Sequence, residues 1–318
     1  MSSLRPAGNQ QLREIDALIR QGHGAAVRAR LAAVLVRRPP RDAAPRLAQL
    51  AWRAGLPEVG LRVLNPLVRP TDRKPTEATP LETAEYAACL IKAGAVDEGA
   101  ALLSPLDAEA LPRVWLYRAF ACVARWDYAD SIPLLEAYLN CRGLSSYDRL
   151  VGRVNLAAAL VLERRHRAAE YLLRQLLHEA SVRRLKLALG RVLELSAENF
   201  LLRRQWNRAE SFLERARQAL AGTEGVDLFI AEKTSAILDF LRKPGAKTLA
   251  GLRSARGKAT VRRHWESVRD CDRAEALGGR DQKLLLRVCF GTPHDRFRHW
   301  IRIDYPGPAT LRLAGVGT

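Results

Sequence analysis

Apolar and small residues recur along this chain at spacings of three and four, the signature of one face of a helix. A small residue falls within one helical segment. A second segment opens after a turn with another small residue, and Leu or a similar apolar residue follows four positions later. Taking the small or short residue of the second segment as marker, the phrase occurs at Val27, Gly60, Gly99, Ser131, Ala169 and Ala209, at intervals of 33, 39, 32, 38 and 40. A period of about 30–45 residues built from helix pairs predicts a stacked array, because one hairpin cannot bury its own apolar face. The period-two alternation of Val, Ile and Thr that marks strands is missing.

The pattern predicts helix pairs near 11–20 and 25–36, 44–54 and 57–68, and 81–93 and 96–103, with turns at Gly22 and Gly24, at Gly55-Leu56-Pro57 and at Gly94. Pro39-Pro40 closes the first unit, and 69–80 reads as an exposed loop. In the fourth unit Trp115, Ala119 and Cys122 share one face, and Ser131, Leu135 and Tyr138 share another. Leu156, Ala157 and Leu160 precede Ala169, Leu173 and Leu176 in the fifth, and Ala197 and Phe200 precede Ala209, Leu213 and Ala216 in the sixth. Small residues at these points let helices cross closely, where a larger side chain would overpack.

On these residues the chain resembles the tetratricopeptide repeat superfamily over about residues 8–222. Trp115 stands at the family's aromatic position, Ala119, Ala157 and Ala197 at its first-helix small position, Ala169, Ala209 and Ser131 at its second-helix small position, and Pro39 at its closing proline. The spacing wanders from the family's usual 34, and most units lack the closing proline. The resemblance implies an all-α, right-handed α-solenoid of about six to seven hairpins whose first helices line a concave groove. Projected in that way, Arg13, Arg20, Arg46, Trp52 and Arg53 face the groove from the first two units. Arg113, Leu116, Phe120, Val123, Val151 and Val154 do so from the fourth and fifth, and Arg191, Glu194 and Glu198 from the sixth. An apolar centre with a basic rim suits an acidic or amphipathic segment of a partner protein; Phe120 and the valines equally suit packing between neighbouring helices. The Lys/Asn clamp with which some family members hold a free C-terminal carboxylate is not apparent.

Charge changes the picture at the end of the chain. The net charge is +18, of which residues 1–40 carry +5, 41–241 carry +3 and 242–318 carry +10. We therefore divide the chain into a repeat array, 1–241, and a basic helical region, 242–318, that caps it. Pro244-Gly245 breaks the chain before a short helix at about 246–256. Gly257 precedes a longer helix with Val261, Trp265, Val268 and Asp272 on one face. Two further helices are expected at 282–290 and 294–303, with a short strand or wing at 309–314. Short helices of which the second is Arg-rich are similar to a helix-turn-helix. In that alternative Arg262, Arg263, Arg296, Arg298 and Arg302 would meet phosphates, with Trp265 and Trp300 in the core. Arg164, Arg165, Arg167, Arg203 and Arg204 cluster at turns, where cations complement helix dipoles and could also form a basic ridge.

No phosphate-cradling Gly-rich loop, HExxH or nucleophile elbow is present, so no enzyme is expected and no cofactor or small-molecule substrate. His264, Cys271, Cys289, His294 and His299 lack the close Cys pairs of a zinc site, and no metal is expected. Five scattered cysteines, the lack of a ~20-residue apolar run and the polar N-terminus fit a reduced, cytoplasmic setting away from the membrane. The expected role is a protein-interaction scaffold; the alternative is a nucleic-acid-binding regulator whose array senses a partner.

Overall fold

The computed structural model describes residues 6–36, 39–69, 77–262 and 264–279. Fifteen α-helices, and no strands, occur among them. They run α1 (Pro6–Gln21), α2 (Gly24–Val36), α3 (Ala44–Arg53), α4 (Pro57–Val68), α5 (Pro80–Ala93), α6 (Val96–Leu103), α7 (Arg113–Ala124) and α8 (Tyr128–Asn140). The series continues with α9 (Ser146–Leu162), α10 (His166–Val182), α11 (Lys186–Leu202), α12 (Trp206–Leu220), α13 (Val226–Arg242), α14 (Ala246–Val261) and α15 (Trp265–Gly279). Successive helices pair as hairpins, and each hairpin packs on the next in chain order. The fold is an α-solenoid, as the repeat spacing predicts.

The unit has a backbone cause. Each of the first six hairpins turns through one left-handed residue: Gly22, Gly55, Gly94, Trp126, Arg164 and Arg204. The amide that follows it reaches back across the turn, as when Ala95 N donates to Leu90 O (2.9 Å) and Gln205 N donates to Phe200 O (2.9 Å). This closes the first helix and satisfies an orphan carbonyl. The sequence marker lies five residues past the left-handed one in every unit. Leu31, Leu64, Leu103, Leu135, Leu173 and Leu213 lie four residues further on and are almost wholly buried. Each such leucine contributes about 1.5–3 kcal/mol of burial. Ala48, Ala87, Ala119, Ala157 and Ala197, seven residues before the turn, are fully buried where the first helices cross their neighbours.

The seventh hairpin, α13 with α14, departs from the pattern. Its turn contains Pro244, which has no N–H to donate, and Gly245 is extended at φ −177°. Here the structure corrects the sequence reading. Helix α14 runs through Gly257 to Val261, and the next helix starts only at Trp265. A glycine costs an exposed helix roughly 1 kcal/mol and need not end it. Val261 therefore belongs to the helix before Trp265 and Val268, and it is strongly exposed. Trp265 is 44% exposed and lies beside Gly94 rather than in a core. An apolar cluster joins Phe200 and Leu213 to Phe240, Leu252, Ala255 and Cys271, so packing is continuous across residue 241. The helices expected at 282–290 and 294–303 and the wing at 309–314 lie outside the described residues.

The array also returns on itself. Glu224, in the connection between α12 and α13, receives a bond from Ala25 N on its carboxylate (2.7 Å) and donates its own N–H to Gly22 O (2.7 Å). Gly22 is required twice over. Its φ is +80°, and a Cβ there would stand 2.8 Å from the Cβ of Thr223. The first hairpin thus meets the end of the sixth.

Candidate functional site: a cavity within the array

Because the array closes, its inner face surrounds a cavity of about 1670 Å³. Of the fourteen groove residues expected from sequence, Arg20, Arg46, Trp52, Arg53, Arg113, Leu116, Phe120, Val151, Val154 and Arg191 line it. Arg13 and Val123 do not. Arg13 shares a face with Arg20 but stands seven residues, about 10 Å, nearer the start of α1, and it is exposed. Val123 is in the last turn of α7, which α15 meets: Arg269 Nη2 donates to Ala124 O (2.8 Å). Glu194 and Glu198 are also absent from the wall. Glu194 is buried between Arg191 and the Thr234 hydroxyl, which donates to it at 2.6 Å, on the α13 side of α11.

Two buried carboxylates organise one wall, and neither stands out in the sequence. Asp16 on α1 pairs with Arg53 (2.5 Å), Arg20 (2.7 Å) and Arg46 (3.2 Å). Burial pushes its carboxyl up, but Arg53, Arg20 and Arg46 outweigh burial and hold it below the usual aspartate range. Glu85 on α5 is fully buried and accepts from Arg113, the Tyr117 hydroxyl (2.8 Å) and Trp52 Nε1 (3.1 Å). Its carboxyl is raised, since burial exceeds the help of Arg113 and the two neutral donors. Asp16 precedes Arg20 by four positions, a helical ion-pair spacing that could have flagged it; the partners of Glu85 are 28 to 33 residues away and leave no local signal.

The apolar part of the wall is built around rings. Trp52 meets Tyr117 and Phe120 edge-on, with centroids 5.9 and 5.8 Å apart. Lys92 Nζ lies 4.3 Å over Phe120. Tyr147, on α9, is bound from across the array: Arg53 Nη2 donates to its hydroxyl (3.1 Å) and the Arg20 guanidinium lies 4.0 Å over its ring. Arg262 reaches the wall from the end of α14 and covers Phe229 at 5.0 Å. It is the single described member of the expected phosphate-contacting set; Arg263, Arg296, Arg298 and Arg302 lie outside the described residues. Arg203 pairs with Glu170 (3.2 Å), which neutralises part of the expected basic ridge. Among the described residues no cluster of His, Cys, Asp and Glu could hold a metal ion, and no helix is long and apolar enough to cross a membrane.

No family model matches the chain, and no curated protein does. Among solved structures, it is similar to a Rap protein complexed with competence and sporulation factor. Identity is 11%, coverage is 98% of this chain and 95% of that one, and the TM-score is 0.62. RapI in its apo form is also similar, with 11% identity, 97% and 94% coverage and a TM-score of 0.45. The first likeness shows a shared helical fold that extends along nearly the whole of both chains.

Proposed function

We propose that this protein is a non-catalytic interaction scaffold that takes a short acidic or amphipathic segment of a protein partner into the central cavity. The observation that carries the reading is the convergence of all seven hairpins on one cavity with an aromatic floor and a cationic wall. A volume of about 1670 Å³ exceeds the ~300–1,000 Å³ of small-molecule pockets, which favours a peptide. Apolar side chains give such a ligand area to bury, and scattered cations select its charge. The same fold in a Rap protein solved with a factor bound supports a binding role. Val154 lines the cavity and is half-buried, so Val154→Trp fills space without opening the core. Immobilised protein should retain part of a degenerate pool of acetylated hexapeptides, and Val154→Trp should abolish retention. Equal retention by both would reject the cavity as the site. The +10 charge of residues 242–318 supports a second reading, a nucleic-acid-binding regulator, which salt-dependent retention of random duplex would favour instead.

A further inference from the structure

We infer that Arg46, flanked by Arg20 and Arg53, receives a carboxylate from the peptide held in the cavity; the inference rests on the peptide-binding reading above. Four guanidinium groups, Arg20, Arg46, Arg53 and Arg113, stand on this wall against two carboxylates, Asp16 and Glu85. Glu85 is committed to Arg113, Tyr117 and Trp52. That leaves Asp16 alone to bond three cations; Asp148, which also lines the cavity, acts on Arg113 from a distance, and the wall still carries more cations than carboxylates.

The three cations do not share the deficit equally. Arg53 takes the closest place on Asp16 and also donates to the Tyr147 hydroxyl. Arg20 bonds Asp16 and rests on the face of the same ring. Arg46 has the longest contact with Asp16, and its other partner is the neutral side-chain oxygen of Gln49. Burial lowers its hold on its proton, Asp16 opposes that, and Arg53, Arg113 and Arg20 add to it. A cation in that position is the one an incoming anion stabilises most. Its side chain remains 43% exposed and lines the cavity, so a ligand can reach it. The planar fork of a guanidinium matches a carboxylate through two parallel bonds. Trp52 and Leu116, on the same cavity wall, suit an apolar residue beside the acidic one in the ligand.

The test uses the full chain, immobilised, and three pools of acetylated hexapeptides with randomised apolar positions. One pool has a central Asp and an amidated C-terminus, one has Asn with the amide, and one has Asn with a free C-terminal carboxylate. Wild-type protein should retain a carboxylate-bearing pool about tenfold better than the Asn amide pool. Whether the Asp pool or the free-terminus pool has the advantage tells which carboxylate is bound. Arg46→Gln should cut the preference to below about threefold, and Arg46→Lys, which keeps the charge without the fork, should retain part of it. A preference that persists in Arg46→Gln, or none in the wild type while Val154→Trp still blocks all pools, overturns this inference alone. Failure to retain any pool overturns it together with the cavity reading beneath it.

Discussion

Glu85 offers the sharpest test of how this array is held together. Replacing it with Ala removes the acceptor for three donors at once, on α3 and α7, while Glu85 itself sits on α5. The Tyr117 hydroxyl is the costliest orphan, because Tyr117 is only 1% exposed. An unsatisfied buried donor costs about 1–3 kcal/mol. Trp52 is half-buried, and the Arg113 side chain is about a third exposed, so both recover some solvation and add less. The total for Glu85→Ala is about 3–5 kcal/mol, the range for breaking a buried ion pair. Glu85→Gln keeps an acceptor of the same shape. Because burial already makes the ionised carboxylate expensive, Gln should cost only about 1–2 kcal/mol. Urea unfolding followed by far-ultraviolet circular dichroism measures both. Losses below about 1 kcal/mol for the two variants alike would show that packing alone joins the second, third and fourth hairpins.

Two further outcomes follow from the same structure. Glu198 is pushed up to about 7, first by burial and then by Glu194, with Lys233 opposing and Asp270 adding to the rise. The folded protein then binds this proton more tightly than the unfolded chain, so the contribution is present below about pH 4.5 and fades as pH rises towards about 7. Urea unfolding at about pH 5 and about pH 8 should show a loss of up to about 3 kcal/mol in the wild type that Glu198→Gln removes; an unchanged slope in the variant would refute this. Arg204 holds a left-handed turn at φ 56° with an exposed side chain. The strain of about 1–2 kcal/mol exceeds the extra chain entropy of glycine, so Arg204→Gly should raise stability by about 0.5–1 kcal/mol. A lower midpoint in thermal unfolding would refute that.

Six hairpins were legible because their turn chemistry and their packing are tied to one local spacing. Val27, Gly60, Gly99, Ser131, Ala169 and Ala209 mark the units well because each sits at a fixed distance from a left-handed residue. That residue is glycine in the first three units, and Trp126, Arg164 and Arg204 in the next three, which is why glycine alone would have missed half of them. The seventh hairpin lacked the phrase because Pro244 forbids the bond that fixes it. Ten of the residues expected in a groove line the cavity because helix periodicity sets direction around a helix. Arg13 lies away from the cavity because periodicity says nothing of position along the axis. The closure by Glu224 joins residues 199 apart, and the joint needs a glycine that serves equally well as an ordinary turn. No pattern confined to neighbouring residues carries such information.

The joint between Gly22 and Glu224 changes how an array of this type behaves when it loosens. In an open stack each unit leans only on its neighbours, so the terminal unit peels away first and at little expense. Here the first unit is fastened to the sixth as well as to the second, and it cannot leave without uncovering the α2 start, Thr223 and the mouth of the interior together. The N-terminal edge thereby ceases to be the weak edge, and loosening there becomes a shared event in place of local fraying.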